Sequence, residues 1–234
     1  MLPGKRDAWR GDPRIGIQVL VAGAAFAGFL ALGGAILLAP ALVRLDVAVS
    51  SAIRSLSLPG LHALAVVATT LGGFWPVAVL TGATAGVLWW RGRRIEAVFI
   101  LVAVFGGELV GVAFKEVFMR VRPAIEGTRI PMPESYSFPS GHALAGMLYF
   151  ASLAFVTLID ERRLRISVAV VAGCVAAAIT IALSRVYLGV HYLGDIVGAW
   201  LLGSAWLALV ALVFARFAAG DPTADATGPD EGGR

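Results

Sequence analysis

Six long apolar segments, separated by short charged connections, constrain this chain more than any other feature. A helix needs about 20 apolar residues to cross a bilayer. Ile15–Leu38 is the first such segment, with Gln18 its only strongly polar side chain. The second is Phe74–Trp90, whose apolar run extends back to Ala63. The others are residues 96–118, interrupted by Glu108 and Lys115, then 143–159, 166–183 and 196–217. Lipid offers backbone amides no water to bond, so segments of this kind must be helical. The sequence therefore predicts an all-α fold, a six-transmembrane-helix bundle. Composition agrees: 59% of residues are hydrophobic and 15% charged, against about 45–50% and 25% in soluble domains. That excludes a disordered or coiled-coil chain. The net charge of +4 sits between the apolar runs, which is a membrane pattern and not a nucleic-acid footprint. A single cysteine, Cys174, excludes an intrachain disulfide.

The expected organisation is a cytoplasmic N-terminal segment over 1–14, one six-span domain over 15–217 and a disordered cytoplasmic tail over 218–234. The basic start and first apolar run mimic a signal peptide, with Ala39-Pro40-Ala41 as a mock cleavage site. A signal h-region is roughly 7–15 residues, however, and this run has 24. It is read as a retained span. With six spans, 12 of the 19 Lys and Arg residues share one side with both termini, and the positive-inside rule makes that side cytoplasmic. Trp89 and Trp90 fall at a predicted interface. Between spans one and two, Leu42, Leu45, Val49, Ile53 and Leu56 recur at helical spacing. They predict a short amphipathic interfacial helix, read equally well as surface-lying or as a packed connector. Gly72, Gly73 and Pro76 predict a kink in span two.

Four polar clusters interrupt this apolar plan, and charge near a membrane interior marks a functional candidate. Lys115 precedes Arg122-Pro123 at the end of span three. Pro139-Ser140-Gly141-His142 opens span four. Ser184-Arg185 closes span five, and His191 and Asp195 open span six. Parity puts all four at one membrane face, the outer one. Three cations and two imidazoles there suggest an anion site with acid–base chemistry. Lys115 and Arg122 share a face if their helix continues that far. Ser140 and Gly141 precede a helix start, which favours phosphate. His191 and Asp195 are spaced as helix neighbours, so the carboxylate can hold one ring nitrogen and leave the other free. Singly, each has a bland reading: a structural His–Asp pair, an N-cap serine, a helix-ending Arg-Pro, a snorkelling arginine. None of these explains the convergence.

Taken together, Lys115-x6-Arg122-Pro123, Pro139-Ser140-Gly141-His142 and Ser184-Arg185-x5-His191-x3-Asp195 resemble the three-part signature of the type 2 phosphatidic acid phosphatase (PAP2) superfamily. The resemblance implies a metal-independent lipid phosphate phosphatase with no cofactor and a membrane lipid phosphate as substrate. His191 would be the nucleophile that forms a phosphohistidine, Asp195 its orienting partner and His142 the general acid. Lys115, Arg122, Ser140, Gly141 and Arg185 would hold the phosphoryl oxygens. Phosphatidic acid, phosphatidylglycerol phosphate and polyprenyl pyrophosphate are candidate substrates. A lipid phosphotransferase, a vanadate haloperoxidase and a non-enzymatic lipid-binding protein are the alternatives. Among the remaining residues, Glu108 is read as a partner for the cations or a satisfied intrahelical group, and Arg120 and Arg129 as solvated loop charges. His62 is read as interfacial and Cys174 as packing. Tyr187 and Tyr192 line either the site or the interface belt. The loop 124–137 covers the site.

Overall fold

The computed structural model describes residues 15–123, 128–158 and 164–219. The expected N-terminal segment, Arg162 and Arg163, and the tail beyond Ala219 lie outside the described residues. Among the described residues the chain is entirely helical between its loops. The elements are α1 (Ile15–Leu38), α2 (Pro40–Arg54), α3 (Leu61–Leu71), α4 (Phe74–Trp90), α5 (Arg94–Leu101), a π-helical turn (Val102–Gly106), α6 (Gly107–Phe118), α7 (Gly141–Leu158), α8 (Leu164–Tyr187) and α9 (Leu193–Ala219). Five straight or nearly straight helices are long and apolar enough to span a membrane, and α3 with α4 makes a sixth, bent span. This is an integral membrane bundle. Helix α7 is central, packed against α8, α9 and α4, while α1 lies along α9.

The kink in span two falls where the sequence puts it. α3 ends at Gly72, α4 starts after Gly73, and the two helices meet at 58°. Gly72 has no side chain because Ile181 of α8 fills the space that a β-carbon would take. Span three is also irregular. The π turn accommodates Trp206 of α9, whose indole Nε1 donates to the Ala103 carbonyl at 2.9 Å. An extra residue in a turn rotates everything that follows. The second half, α6, thereby buries Gly107, Gly111, Lys115 and Phe118.

Two expectations need correction. Helix α6 stops at Phe118, capped by Met119 in the left-handed region (φ 44°). Lys115 and Arg122 therefore do not share a helix face; Arg122 is carried by the extended segment beyond. Helix α9 begins at Leu193, so His191 precedes the helix that carries Asp195. The interfacial helix, α2, packs one face on the bundle and leaves its apolar face exposed. Its polar residues Asp46, Ser50 and Arg54 turn toward the ends of α8 and α9, while Leu45, Val49 and Leu56 point outward.

Beneath the polar end of the bundle sits an aromatic cluster. Phe138, fully buried, stacks on Phe29 of α1 at 5.4 Å between ring centroids and meets Phe118 edge-on at 5.0 Å. A β-carbon on Gly198 of α9 would overlap the Phe138 ring. Phe138 immediately precedes Pro139-Ser140-Gly141, so this ring fixes where α7 begins. Gly198→Val should therefore cost about 1–3 kcal/mol through overpacking and displace the start of α7. Gly86→Ala, at a position open to solvent or lipid, should leave stability unchanged within about 0.5 kcal/mol. Denaturation in detergent, comparing the two variants, checks this.

Candidate active site

The site forms where the ends of α6 and α8 meet the starts of α7 and α9. Lys115, Arg122, His142, Arg185 and His191 come close enough there for their charges to interact. The four sequence clusters thus converge in one place. Asp195 is fully buried and lies in the first turn of α9. Its Oδ2 accepts from the Tyr192 amide at 2.9 Å and from the Ser137 hydroxyl, and faces His191 Nδ1 at 3.1 Å. Its Oδ1 takes Arg120 Nη1 at 2.6 Å. A buried carboxylate requires such pairing to remain charged.

These contacts fix the tautomer of His191. Arg122 Nη1 lies 2.9 Å from His191 Nε2. A guanidinium has donors and no acceptor, so Nε2 must accept and cannot carry the proton. The proton is on Nδ1, donated to Asp195. The lone pair of Nε2 therefore faces Arg122. Burial pushes the His191 imidazole down to about 3, helped by Arg122 and Arg185 and opposed by Asp195. Below that value Nε2 would be protonated and blocked; above it the nitrogen stays free.

The cations are held by neutral acceptors, not by carboxylates. Lys115 Nζ donates to the Tyr136 carbonyl at 2.7 Å. Arg122 Nε donates to the Ser135 carbonyl at 2.6 Å and Nη1 to the Val190 carbonyl at 2.8 Å. Burial lowers the Arg122 guanidinium from its ordinary value. Arg185 Nη1 donates to Thr69 Oγ1 on α3, while its Nε is buried with no partner. Ser140 Oγ is likewise buried without a partner, and the Ser140 amide bonds the Asp195 carbonyl at 3.2 Å. Helix α7 starts at Gly141, so its first N–H groups lack intrahelical acceptors. Unpaired donors, a helix N-terminus and three cations describe a cradle for a tetrahedral anion. His142 sits next to the Gly73 break between α3 and α4. Among the described residues no three His, Cys, Asp or Glu side chains gather as a metal site would need.

Several participants escape a reading by sequence. Arg120, read there as a solvated loop charge, is only 7% exposed and bridges Asp195 and Asp46. Arg129, read the same way, donates to the Tyr187 and Arg54 carbonyls and lies over the Tyr187 ring at 4.0 Å. Tyr192 carries Arg120 on its ring at 4.2 Å. Ser137, Thr69 and Asp46 carry no motif signal. The one available clue is Asp46, Ser50 and Arg54 at four-residue spacing, a polar stripe along one side of an amphipathic helix. Glu108 Oε1 is buried with no partner, and Lys115 is the cation whose charge it feels. Cys174 lines an apolar crevice between α7, α8 and α9.

The tautomer is directly measurable. In ¹⁵N-histidine-labelled protein, His191 should show a protonated Nδ1 and a bare Nε2 from pH 8 down to pH 5. Titration of His191 near the ordinary value of about 6.5 would contradict the geometry.

Comparison with known proteins identifies the family. Residues 96–218 match the model of the PAP2 superfamily. Over 167 residues the chain is 31% identical to phosphatidylglycerophosphatase B of Bacillus subtilis (strain 168), covering 68% of this chain and 77% of that one. Over 133 residues it is 30% identical to undecaprenyl-diphosphatase of Sulfolobus acidocaldarius, covering 55% and 60%. The fold is similar to the crystal structure of a transmembrane PAP2 type phosphatidylglycerolphosphate phosphatase from Bacillus subtilis, with TM-score 0.70 and 28% identity, over 81% of this chain and 93% of that chain. Aquifex aeolicus LpxE shares the fold at TM-score 0.54 and 21% identity, over 72% and 95%. The family match includes every residue of the cradle except Thr69. The chain belongs to the PAP2 superfamily, as a membrane-integral phosphatase of that type.

Proposed function

We propose that this protein is a metal-independent lipid phosphate phosphatase working through a phosphohistidine at His191. The observation that carries the reading is the His191 geometry: Nδ1 lies 3.1 Å from Asp195 Oδ2 and Nε2 lies 2.9 Å from Arg122 Nη1, with Arg185 also close. Nε2 attacks phosphorus. The bond from phosphorus to the lipid oxygen breaks, and that oxygen takes a proton from His142. Water, giving a proton to His142, then attacks phosphorus. The P–N bond breaks, its electron pair returns to Nε2, and inorganic phosphate leaves. Lys115, Arg122, Arg185, the Ser140 hydroxyl and the Gly141 N–H bind the charge that shifts onto the phosphoryl oxygens.

A lipid substrate is supported by the surroundings. Exposed Met119, Val121 and Met132 border the segment that carries Arg122. Lys and Arg counts favour both termini in the cytoplasm and the site on the outer face. A phosphomonoester such as phosphatidylglycerol phosphate or phosphatidic acid fits the longer of the two aligned relatives' matches. The second relative, named as an undecaprenyl-diphosphatase, favours a polyprenyl pyrophosphate as the other reading.

Purified protein in detergent should release phosphate from one of these lipids, and a panel of glycerolipid phosphates and prenyl pyrophosphates in EDTA identifies which. His191→Ala should lose at least about 10³-fold in kcat while remaining folded. His142→Ala should lose about 10²–10⁴-fold. Loss of wild-type activity in EDTA, restored by Mg²⁺, would overturn the metal-free mechanism.

A further inference from the structure

The polar stripe of α2 reaches the catalytic pair. Arg120 Nη1 binds Asp195 Oδ1 at 2.6 Å, and its Nη2 binds Asp46 Oδ2 at 2.8 Å. One planar guanidinium thus spans two carboxylates, a geometry that a lysine cannot reproduce. The other oxygen of Asp46, Oδ1, accepts from the Gly194 amide at 2.8 Å, and Ser50 Oγ accepts from the Leu193 amide at 2.9 Å. The Leu193 and Gly194 amides at the start of α9 are therefore capped by side chains from α2, while Asp195 of the helix itself reaches back to the Tyr192 amide. Gly194 is required for this approach, since a β-carbon there would crowd Asp46. Arg120 is fixed from two further directions: it lies over the Tyr192 ring at 4.2 Å, and its carbonyl accepts the Ser137 amide at 2.8 Å. Ser137 and the Tyr192 amide both bind Asp195 Oδ2.

Asp195 itself is fully buried, and among the described residues its carboxylate takes its polar contacts from Arg120, Ser137, the Tyr192 amide and His191. Without Asp46, Arg120 loses the second of its two anchors and can slide along Asp195 Oδ1. The His191 ring follows the carboxylate, and Nε2 moves relative to phosphorus. Misplacement by about 1 Å can cost roughly 10²-fold in rate.

We propose that Asp46, on the connector helix α2, is a positioning residue for the reaction, acting through Arg120 on Asp195 and so on His191. This rests on His191 being the nucleophile. Asp46→Asn keeps the shape and an acceptor for Gly194 but removes the charge that draws Arg120. Rates are measured on full-length protein in mixed micelles containing phosphatidic acid or phosphatidylglycerol phosphate, with Arg120→Gln, the double variant and His191→Ala in the same series. The expected result is a fall of about tenfold or more in kcat for Asp46→Asn, with KM within twofold of wild type and the thermal midpoint unchanged. In the Arg120→Gln background, Asp46→Asn should then cost nothing further, because both act along one path. If Arg120→Gln does not fold, Arg120→Lys completes the same cycle. A kcat within twofold of wild type, losses that multiply in the double variant, a change confined to KM, or loss of folded Asp46→Asn would each overturn the proposal. If His191→Ala stays active, the nucleophile assignment fails instead, and the two failures are told apart within one experiment.

Discussion

A carboxylate buried at the end of an apolar bundle governs the architecture around it. Asp195 is fully buried, and an ion taken from water costs several kcal/mol unless its oxygens are satisfied. Here four donors meet that demand: Arg120, the Ser137 hydroxyl, the Tyr192 amide and His191. They come from three stretches of backbone, so satisfying one charge ties together the loop before α7, the turn before α9 and the segment after α6. The same pairing keeps the carboxylate ionised and the imidazole neutral, which orients a lone pair without making the histidine a cation. Structure and chemistry therefore rest on one pair of side chains.

The cations follow a different logic. Lys115 and Arg122 satisfy themselves on backbone carbonyls, and Arg185 leans on a threonine hydroxyl. Neutral acceptors hold a cation in place without cancelling its charge. In the proposed reaction a phosphate would meet positive groups that no carboxylate pairs directly, and it would also find the unpaired Arg185 Nε and Ser140 Oγ. The bend at Gly72 and Gly73 serves the same site from the opposite side: α3 brings Thr69 to Arg185, and the break itself lies against His142.

Much of this was legible in the sequence, and what was not has physical reasons. Spans are set by length and polarity, so α1 and the end of α6 fall where hydropathy places them, and the two glycines mark the bend. The four polar clusters stand out because charge is costly in lipid. Local spacing misled where helices end early: Lys115 and Arg122 lie seven apart, but Met119 turns the chain between them. Arg120 was invisible for another reason. An arginine beside an interface is ordinarily solvated, and only tertiary placement shows that Asp46 and Asp195 flank it. The apolar stripe on α2 identified an amphipathic helix but not the direction of its polar face. That direction depends on what the ends of α8 and α9 present, which no local pattern encodes.

The central claim is that His191 Nε2 becomes covalently phosphorylated, and trapping that intermediate tests it most directly. Protein mixed with a ³²P-headgroup-labelled lipid phosphate and quenched within milliseconds should carry label that survives alkali, is lost in acid and maps to the peptide containing His191. Label absent from a rapidly turning-over enzyme, or label found on a serine or carboxylate instead, would contradict the account.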